Sequence, residues 1–255
     1  MRVGTTVVVA VTALACLVAS LAGAAAPAPR SLAAKCGDTS GVDTKPFWLV
    51  AKDGVRLYAI ESGAGKVGVV LAHESPADLC GWLPYVADLR RSGIRVLAFD
   101  FRGFGDSQRP AATRTYLAYG RDFSAAVARL RADGARKVFL MGASFGGAAA
   151  LTYAPGLPLA GVVSLSGETQ IAGAGLDGLA AVRRLRAPLL LVGSREDRYL
   201  SVADALKLLH RAGSRDKRTA LYPGAFHGWQ LVEDAPYAAR VRALVLAWLR
   251  SRSTS

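Results

Sequence analysis

The chain has 255 residues, room for one domain with a short appendage, and its 52% hydrophobic and 20% charged residues are enough to bury a core. A formal net charge of +13 would suit an anionic partner. The basic residues are scattered, however, as in Leu89-Arg90-Arg91 and Arg183-Arg184-Leu185-Arg186, with no compact run interleaved with aromatics, so nucleic-acid binding is not expected. Three histidines far apart in sequence and no Cys-x-x-Cys pair argue against a metal site, and no cofactor motif is present.

In chain order, Arg2 precedes an apolar run from Val7 to Leu21, followed by Ala22-Gly23-Ala24 and then Pro27 and Pro29. This pattern predicts a secretory signal peptide over residues 1–24 and a secreted or cell-envelope location. The alternative is a retained anchor, since Val3 to Ala26 is long enough to span a bilayer. A lipoprotein at Cys16 is disfavoured, because the apolar run continues past it. Cleavage would leave Cys36 and Cys80, an even count in an oxidising compartment, and a disulfide between them is expected, with free thiols as the alternative. It would pin residues 25–45, an Ala/Pro/Gly/Ser-rich strap read as extended, to a domain over residues 46–255.

Phe47–Ala51 and Val55–Ile60 flank Asp53-Gly54 and predict an antiparallel hairpin. Val67–Ala72 is apolar without alternation, as in a strand buried on both faces. Helices are predicted at Trp82–Ser92, Tyr119–Asp133, Phe145–Tyr153, Leu176–Leu185, Val202–Ala212 and Pro236–Arg250. The strands between them fall at Ile94–Phe99, Lys137–Met141, Leu159–Ser166, Pro188–Val192 and Arg218–Tyr222. Such alternation predicts an α/β fold, a mostly parallel sheet of about eight strands with helices on both faces.

Gly142-Ala143-Ser144-Phe145-Gly146 is a G-x-S-x-G motif between a predicted strand and a helix of small residues. A serine on so sharp a turn projects its hydroxyl from the sheet edge, and the flanking glycines relieve the crowding. The Phe145 N–H then opens a helix and is placed to stabilise an oxyanion. The bland reading is a tight strand-to-helix turn with an ordinary serine. A serine hydroxyl needs a base. His210 lies late in a helix, and His73 ends a buried strand too early in the chain. His227 follows the last strand, at the sheet edge where ligands bind in such folds. For the carboxylate that would orient it, Asp197 is favoured over Glu168, one strand earlier, and over the neighbouring Glu196.

Four blocks now stand in order: Leu71-Ala72-His73-Glu74-Ser75, Asp100-Phe101-Arg102-Gly103-Phe104-Gly105-Asp106-Ser107, the Ser144 elbow, and the Asp197/His227 pair. Together they resemble the α/β-hydrolase superfamily from about Phe47 to the C-terminus, and most closely its compact secreted bacterial serine hydrolases with little or no lid. The resemblance implies a Ser144–Asp197–His227 triad and an acyl-enzyme intermediate, with the N–H groups of Phe145 and Ser75 as oxyanion donors. It departs from the family at Glu74, where glycine is usual. A carboxylate there is unfavourable beside an oxyanion unless it points away or is paired, and Arg102 is one candidate partner.

About 20 residues separate Ser166 from Pro188, room for one helix and not for a cap domain. An open site suits small or surface-presented esters, with Phe145, Trp229, Tyr199 and Leu200 as candidate apolar walls. The expected activity is carboxylester or acyl-bond hydrolysis by a monomer with no cofactor and no membrane span once the signal is removed. The alternatives are a peptidase, amidase or thioesterase on the same triad, a catalytically silent binding protein, or an anion-binding protein. Epoxide- and haloalkane-type chemistry is disfavoured, because the resemblance implies aspartate at the elbow for those enzymes.

Overall fold

The computed structural model describes residues 1, 3–4, 27–42, 44–112 and 117–253; residues 5–24 of the expected signal peptide, Cys16 among them, lie outside that set. Eight strands form one sheet: β1 (Phe47–Val50), β2 (Arg56–Ser62), β3 (Val67–Ala72), β4 (Arg95–Phe99), β5 (Lys137–Ala143), β6 (Gly161–Leu165), β9 (Leu189–Ser194) and β10 (Lys217–Tyr222). Their spatial order is β1-β2-β4-β3-β5-β6-β9-β10. The β1–β2 and β2–β4 pairs are antiparallel, and every other pairing is parallel. The Asp-Gly hairpin forms as expected, with Gly54 at φ 81° in its turn.

The unalternating strands have a simple cause: each face of the sheet is covered. Val70 and Ala72 of β3, Leu140 of β5 and Leu191 of β9 face one core. Helices α3 (Tyr119–Ala132), α4 (Phe145–Tyr153) and α6 (Val202–Arg211) cover it, contributing Phe123, Ala149 and Leu208 among others. Val69, Leu71, Met141 and Leu190 face the other core with Val86 of α2 (Leu83–Arg91) and Trp248 of α7 (Ala238–Ser251). Full burial of one such aliphatic side chain contributes roughly 1.5–3 kcal/mol. Among the described residues no helix is long and apolar enough to cross a membrane.

Two local expectations change. The strap is not extended throughout, because Ser31 caps a short helix α1 (Leu32–Cys36) by accepting from the Ala34 N–H at 3.2 Å. Its Lys35 is fully buried, 2.7 Å from Asp78 and 3.0 Å from Asp100. Cys36 and Cys80 form the expected disulfide, with Cα atoms 5.4 Å apart. In place of one helix over 176–185, a two-strand hairpin, β7 (Gln170–Ile171) with β8 (Leu176–Asp177), leads into the short helix α5 (Gly178–Ala181) and a single 3₁₀ turn. Gly175 at φ 65° and Asp177, which accepts from the Ala180 N–H at 2.8 Å, set that break. The segment stays small, and among the described residues no cap domain covers the C-terminal edge of the sheet.

Candidate active site

Ser144 sits between β5 and α4 at φ 48°, ψ −114°, a backbone conformation that costs about 1–3 kcal/mol for a residue with a side chain. The surroundings hold it there. Its N–H donates to the Leu165 carbonyl at 2.8 Å, and its carbonyl accepts from the Ala148 N–H at 2.9 Å. The flanking glycines are required: a Cβ at Gly142 would strike the Gly146 carbonyl, and one at Gly146 would strike the Ala72 carbonyl of the neighbouring strand. Phe145 opens the helix, so its N–H has no partner within the preceding turn. Its ring is buried against Phe101, Phe104 and Tyr119.

His227 lies on the loop after β10, and its Nδ1 is 2.9 Å from both carboxylate oxygens of Asp197, on the loop after β9. Asp197 is nearly buried and also accepts from the Tyr199 N–H at 2.9 Å and the Leu200 N–H at 3.3 Å. Burial pushes its pKa up, but the hydrogen bonds from His227 and the Tyr199 N–H outweigh this and hold it below the ordinary value. The Asp197–His227 contact therefore joins a carboxylate to a ring whose Nδ1 donates. Glu168 makes no hydrogen bond to the ring among the described residues, and Glu196 is exposed. Two contacts that the sequence reading missed fix the base loop. Gln230 Oε1 accepts from the His227 N–H at 3.0 Å, and the Tyr199 ring lies 4.6 Å from the imidazole. Neither follows a pattern with a one-residue signature.

The loop after β3 is held from below by a second histidine, the buried His73. His73 donates from Nδ1 to the Glu74 carbonyl at 2.8 Å and accepts at Nε2 from the Phe101 N–H at 3.0 Å. Burial pushes its pKa down to about 4, so the ring is neutral and serves as a strut. Asp100 accepts from the Leu79 N–H at 2.9 Å and the Asp106 N–H at 2.8 Å, and buried Lys35 reaches it from the strap. Arg102 is not the partner of Glu74. It is spent on Asp122 at 2.6 Å and Asp53 at 2.8 Å, tying α3 to the hairpin turn. The Glu74 carboxylate instead accepts from the Trp229 N–H at 3.2 Å, on the base loop.

Ser144 and His227 line one cavity of about 390 Å³ at the C-terminal edge of the sheet, together with Glu74, Ser75, Phe145 and Glu168. Its volume suits a small organic ligand. No hydrogen bond joins the Ser144 hydroxyl to His227 among the described residues, so proton transfer would need the two side chains to approach, as is common without substrate. Of the expected apolar walls, Phe145 and Tyr199 face the cavity. Leu200 is in the core, and Trp229 packs over Gly81 and against Trp82, ring centroids 6.2 Å apart. His210 is exposed on the last turn of α6. No cluster of three metal-ligating side chains occurs among the described residues.

With that geometry in view, the likeness to known proteins has a structural meaning. Bifunctional epoxide hydrolase 2 of Rattus norvegicus is 34% identical over 74 residues, 29% of this chain and only 13% of its own length. A proline iminopeptidase of Thermoplasma volcanium is 38% identical over 89 residues, 35% of this chain and 30% of that protein. An esterase of Pyrococcus furiosus shares the fold, with TM-score 0.68 and 18% identity over 83% of this chain and 92% of its own. A monoacylglycerol lipase of Paleococcus ferrophilus does so with TM-score 0.64 and 19% identity over 77% and 99%. A model of the alpha/beta hydrolase family matches residues 69–254, and this chain belongs to that family.

Proposed function

We propose that this hydrolase cleaves carboxylester bonds through a serine nucleophile, Ser144, with His227 as general base and Asp197 as the carboxylate that orients it. One observation carries the reading. A hydroxyl on a strained strand-to-helix turn opens into the same cavity as an imidazole whose Nδ1 is fixed by a nearly buried carboxylate. In this mechanism the Ser144 oxygen attacks the carbonyl carbon while His227 Nε2 takes its proton. The N–H groups of Phe145 and Ser75 stabilise the oxyanion, and Asp197 stabilises the imidazolium. The imidazolium returns the proton to the leaving alcohol. A water then attacks the acyl-enzyme with His227 again as base, releasing the acid and restoring Ser144.

A serine at the elbow also bears on the epoxide hydrolase likeness. Attack by a hydroxyl on a strained alkyl carbon would leave an ether, which has no carbonyl for water to attack, whereas attack on an acyl carbon leaves a hydrolysable ester. The open edge and the cavity volume favour a small acyl group, and the Cys36–Cys80 pair favours an extracytoplasmic site of action. The test is a panel of p-nitrophenyl esters of increasing chain length beside peptide amides. Turnover of short esters that Ser144→Ala abolishes is the expected result. Amide cleavage without ester cleavage would move the reading to a peptidase, and inertness toward both would overturn it.

A further inference from the structure

The cavity that holds Ser144 is lined by carboxyl groups and by no basic chain, in a positive protein. Lys and Arg total 32 against 19 Asp and Glu, yet no Lys or Arg lines this cavity, while two carboxylates do, Glu74 and Glu168. Both are half-buried, and neither makes an ion pair with a Lys or Arg among the described residues. Burial raises the pKa of each; the bond from the Trp229 N–H works against this in Glu74, and the nearby Asp197 carboxylate adds to it in Glu168. A half-buried carboxylate without a cation loses hydration that a single backbone N–H restores only in part.

Glu74 is also held in a built position. Its Oε2 accepts from the Trp229 N–H at 3.2 Å. It lies over Gly228, at φ 57°, where any Cβ would collide with the carboxylate and would stand 3.6 Å from Ser144 Cβ. Gly228 suits this φ for backbone reasons alone, and its lack of a side chain leaves room for the carboxylate beside the nucleophile. Independently of the two carboxylates, Ser144 is only 8% exposed and turns into this cavity a hydroxyl that no described residue hydrogen-bonds. The carboxylates beside that hydroxyl bear on the charge of any acyl compound that reaches it.

Resting on the serine-hydrolase reading above, we infer that the preferred substrates are acyl compounds bearing an ammonium group close to the scissile carbonyl, with Glu74 and Glu168 as the carboxylates that receive it. The substrate's cation supplies the partner that the protein's own cations do not. Anionic acyl compounds are disfavoured by the same two groups, despite the basic surface that would draw them in.

The experiment compares p-nitrophenyl esters matched in shape and different in charge: alaninate against isobutyrate, and 6-aminohexanoate against heptanoate and the adipate monoester. In the wild-type protein kcat/KM is expected to favour one or both ammonium esters over the neutral match by about tenfold or more, and to place the anionic ester last. In Glu74→Gln/Glu168→Gln, which keeps the shapes and an acceptor for the Trp229 N–H, the 6-aminohexanoate-to-heptanoate ratio is expected to fall to within about twofold of unity, and the alaninate-to-isobutyrate ratio, part of which is inductive activation by the α-ammonium, to fall by about tenfold. A wild-type ratio near one in both series overturns the inference, as does a ratio that survives in the double variant. Failure of the parent reading looks different, since no ester of any charge would then be turned over. In that event Ser144→Ala protein is titrated with phenethylammonium and with phenethyl alcohol by ligand-observed NMR, and equal binding of the two overturns the cation site. Should the double variant fail to fold, the wild-type charge series and this titration decide the matter without it.

Discussion

Asp100, Asp122 and Asp53 each sit against a cation: Lys35 for the first and Arg102 for the other two. Glu74 and Glu168, at the open edge of the same sheet, sit against none among the described residues. The paired set joins segments far apart in sequence. Lys35 ties the strap to the loop after β4, and Arg102 ties that loop to the hairpin turn and α3. The unpaired set joins nothing except, through Glu74, the two loops that flank Ser144. In this comparison the three charges that hold the fold are neutralised within it, and the two without a cation face the reaction space. Substitutions in the first region should cost stability, and those in the second should cost turnover or selectivity.

The largest effects belong to the cavity. Ser144→Ala and His227→Ala are each expected to lower kcat/KM toward a short ester by at least about 10⁴-fold, and Asp197→Asn by about 10²–10⁴-fold. Folded stability should change little in Ser144→Ala, which thermal unfolding will check. If Asp197→Asn stays near wild type while Glu168→Gln is inactive, the orienting carboxylate has been misassigned. In the paired region the order reverses. Arg102→Met strands two carboxylates and is expected to destabilise the fold by about 3–5 kcal/mol, read from the denaturant midpoint at constant slope. Loss of the Cys36–Cys80 bridge in Cys36→Ser/Cys80→Ser should cost about 2–4 kcal/mol. Equal melting of that variant and the oxidised protein would mean that the strap is held by Lys35 and not by sulfur.

The smallest effects are the pH slopes, which have opposite signs. The hydrogen bond from Arg102 lowers the Asp53 pKa to about 2, against an ordinary 3.8. A depressed carboxyl binds its proton less tightly when folded, so its contribution is present above pH 3.8 and fades as pH falls toward 2. Glu233, just after the base loop, goes the other way: burial pushes it up to about 7 from an ordinary 4.5. Its folded form binds the proton more tightly, so stability from this group falls as pH rises from 4.5 to about 7. Glu233→Gln should therefore gain on wild type between pH 5 and 8 in chemical denaturation, whereas Asp53→Asn should lose less against wild type at pH 2 than at pH 6.

Much of this was legible in the residues because their constraints are local. The Ser144 elbow needs glycines at fixed offsets, a hairpin turn needs Asp-Gly, and strands covered on both faces need unbroken apolar runs such as Val67–Ala72. Those features leave a mark within a few positions. The role of Arg102 did not, because its partners Asp53 and Asp122 are set by how three separate elements meet. Glu74 read as a defect in a glycine position; only the approach of Gly228 and the Trp229 N–H from a loop 155 residues later gives it a place. The helix expected over 176–185 failed for a local reason that was visible, the glycines at 175 and 178 around Asp177, which favour a turn and a cap over a continuous helix.

The most direct test of the account is site-resolved labelling with a fluorophosphonate, which reacts with a serine only when a base and an oxyanion hole activate it. The folded wild-type protein should carry one stoichiometric adduct, mapped by peptide mass spectrometry to Ser144, and both Ser144→Ala and His227→Ala should carry none. A native, folded protein that stays unlabelled, or that is labelled at another serine with Ser144 untouched, would contradict it.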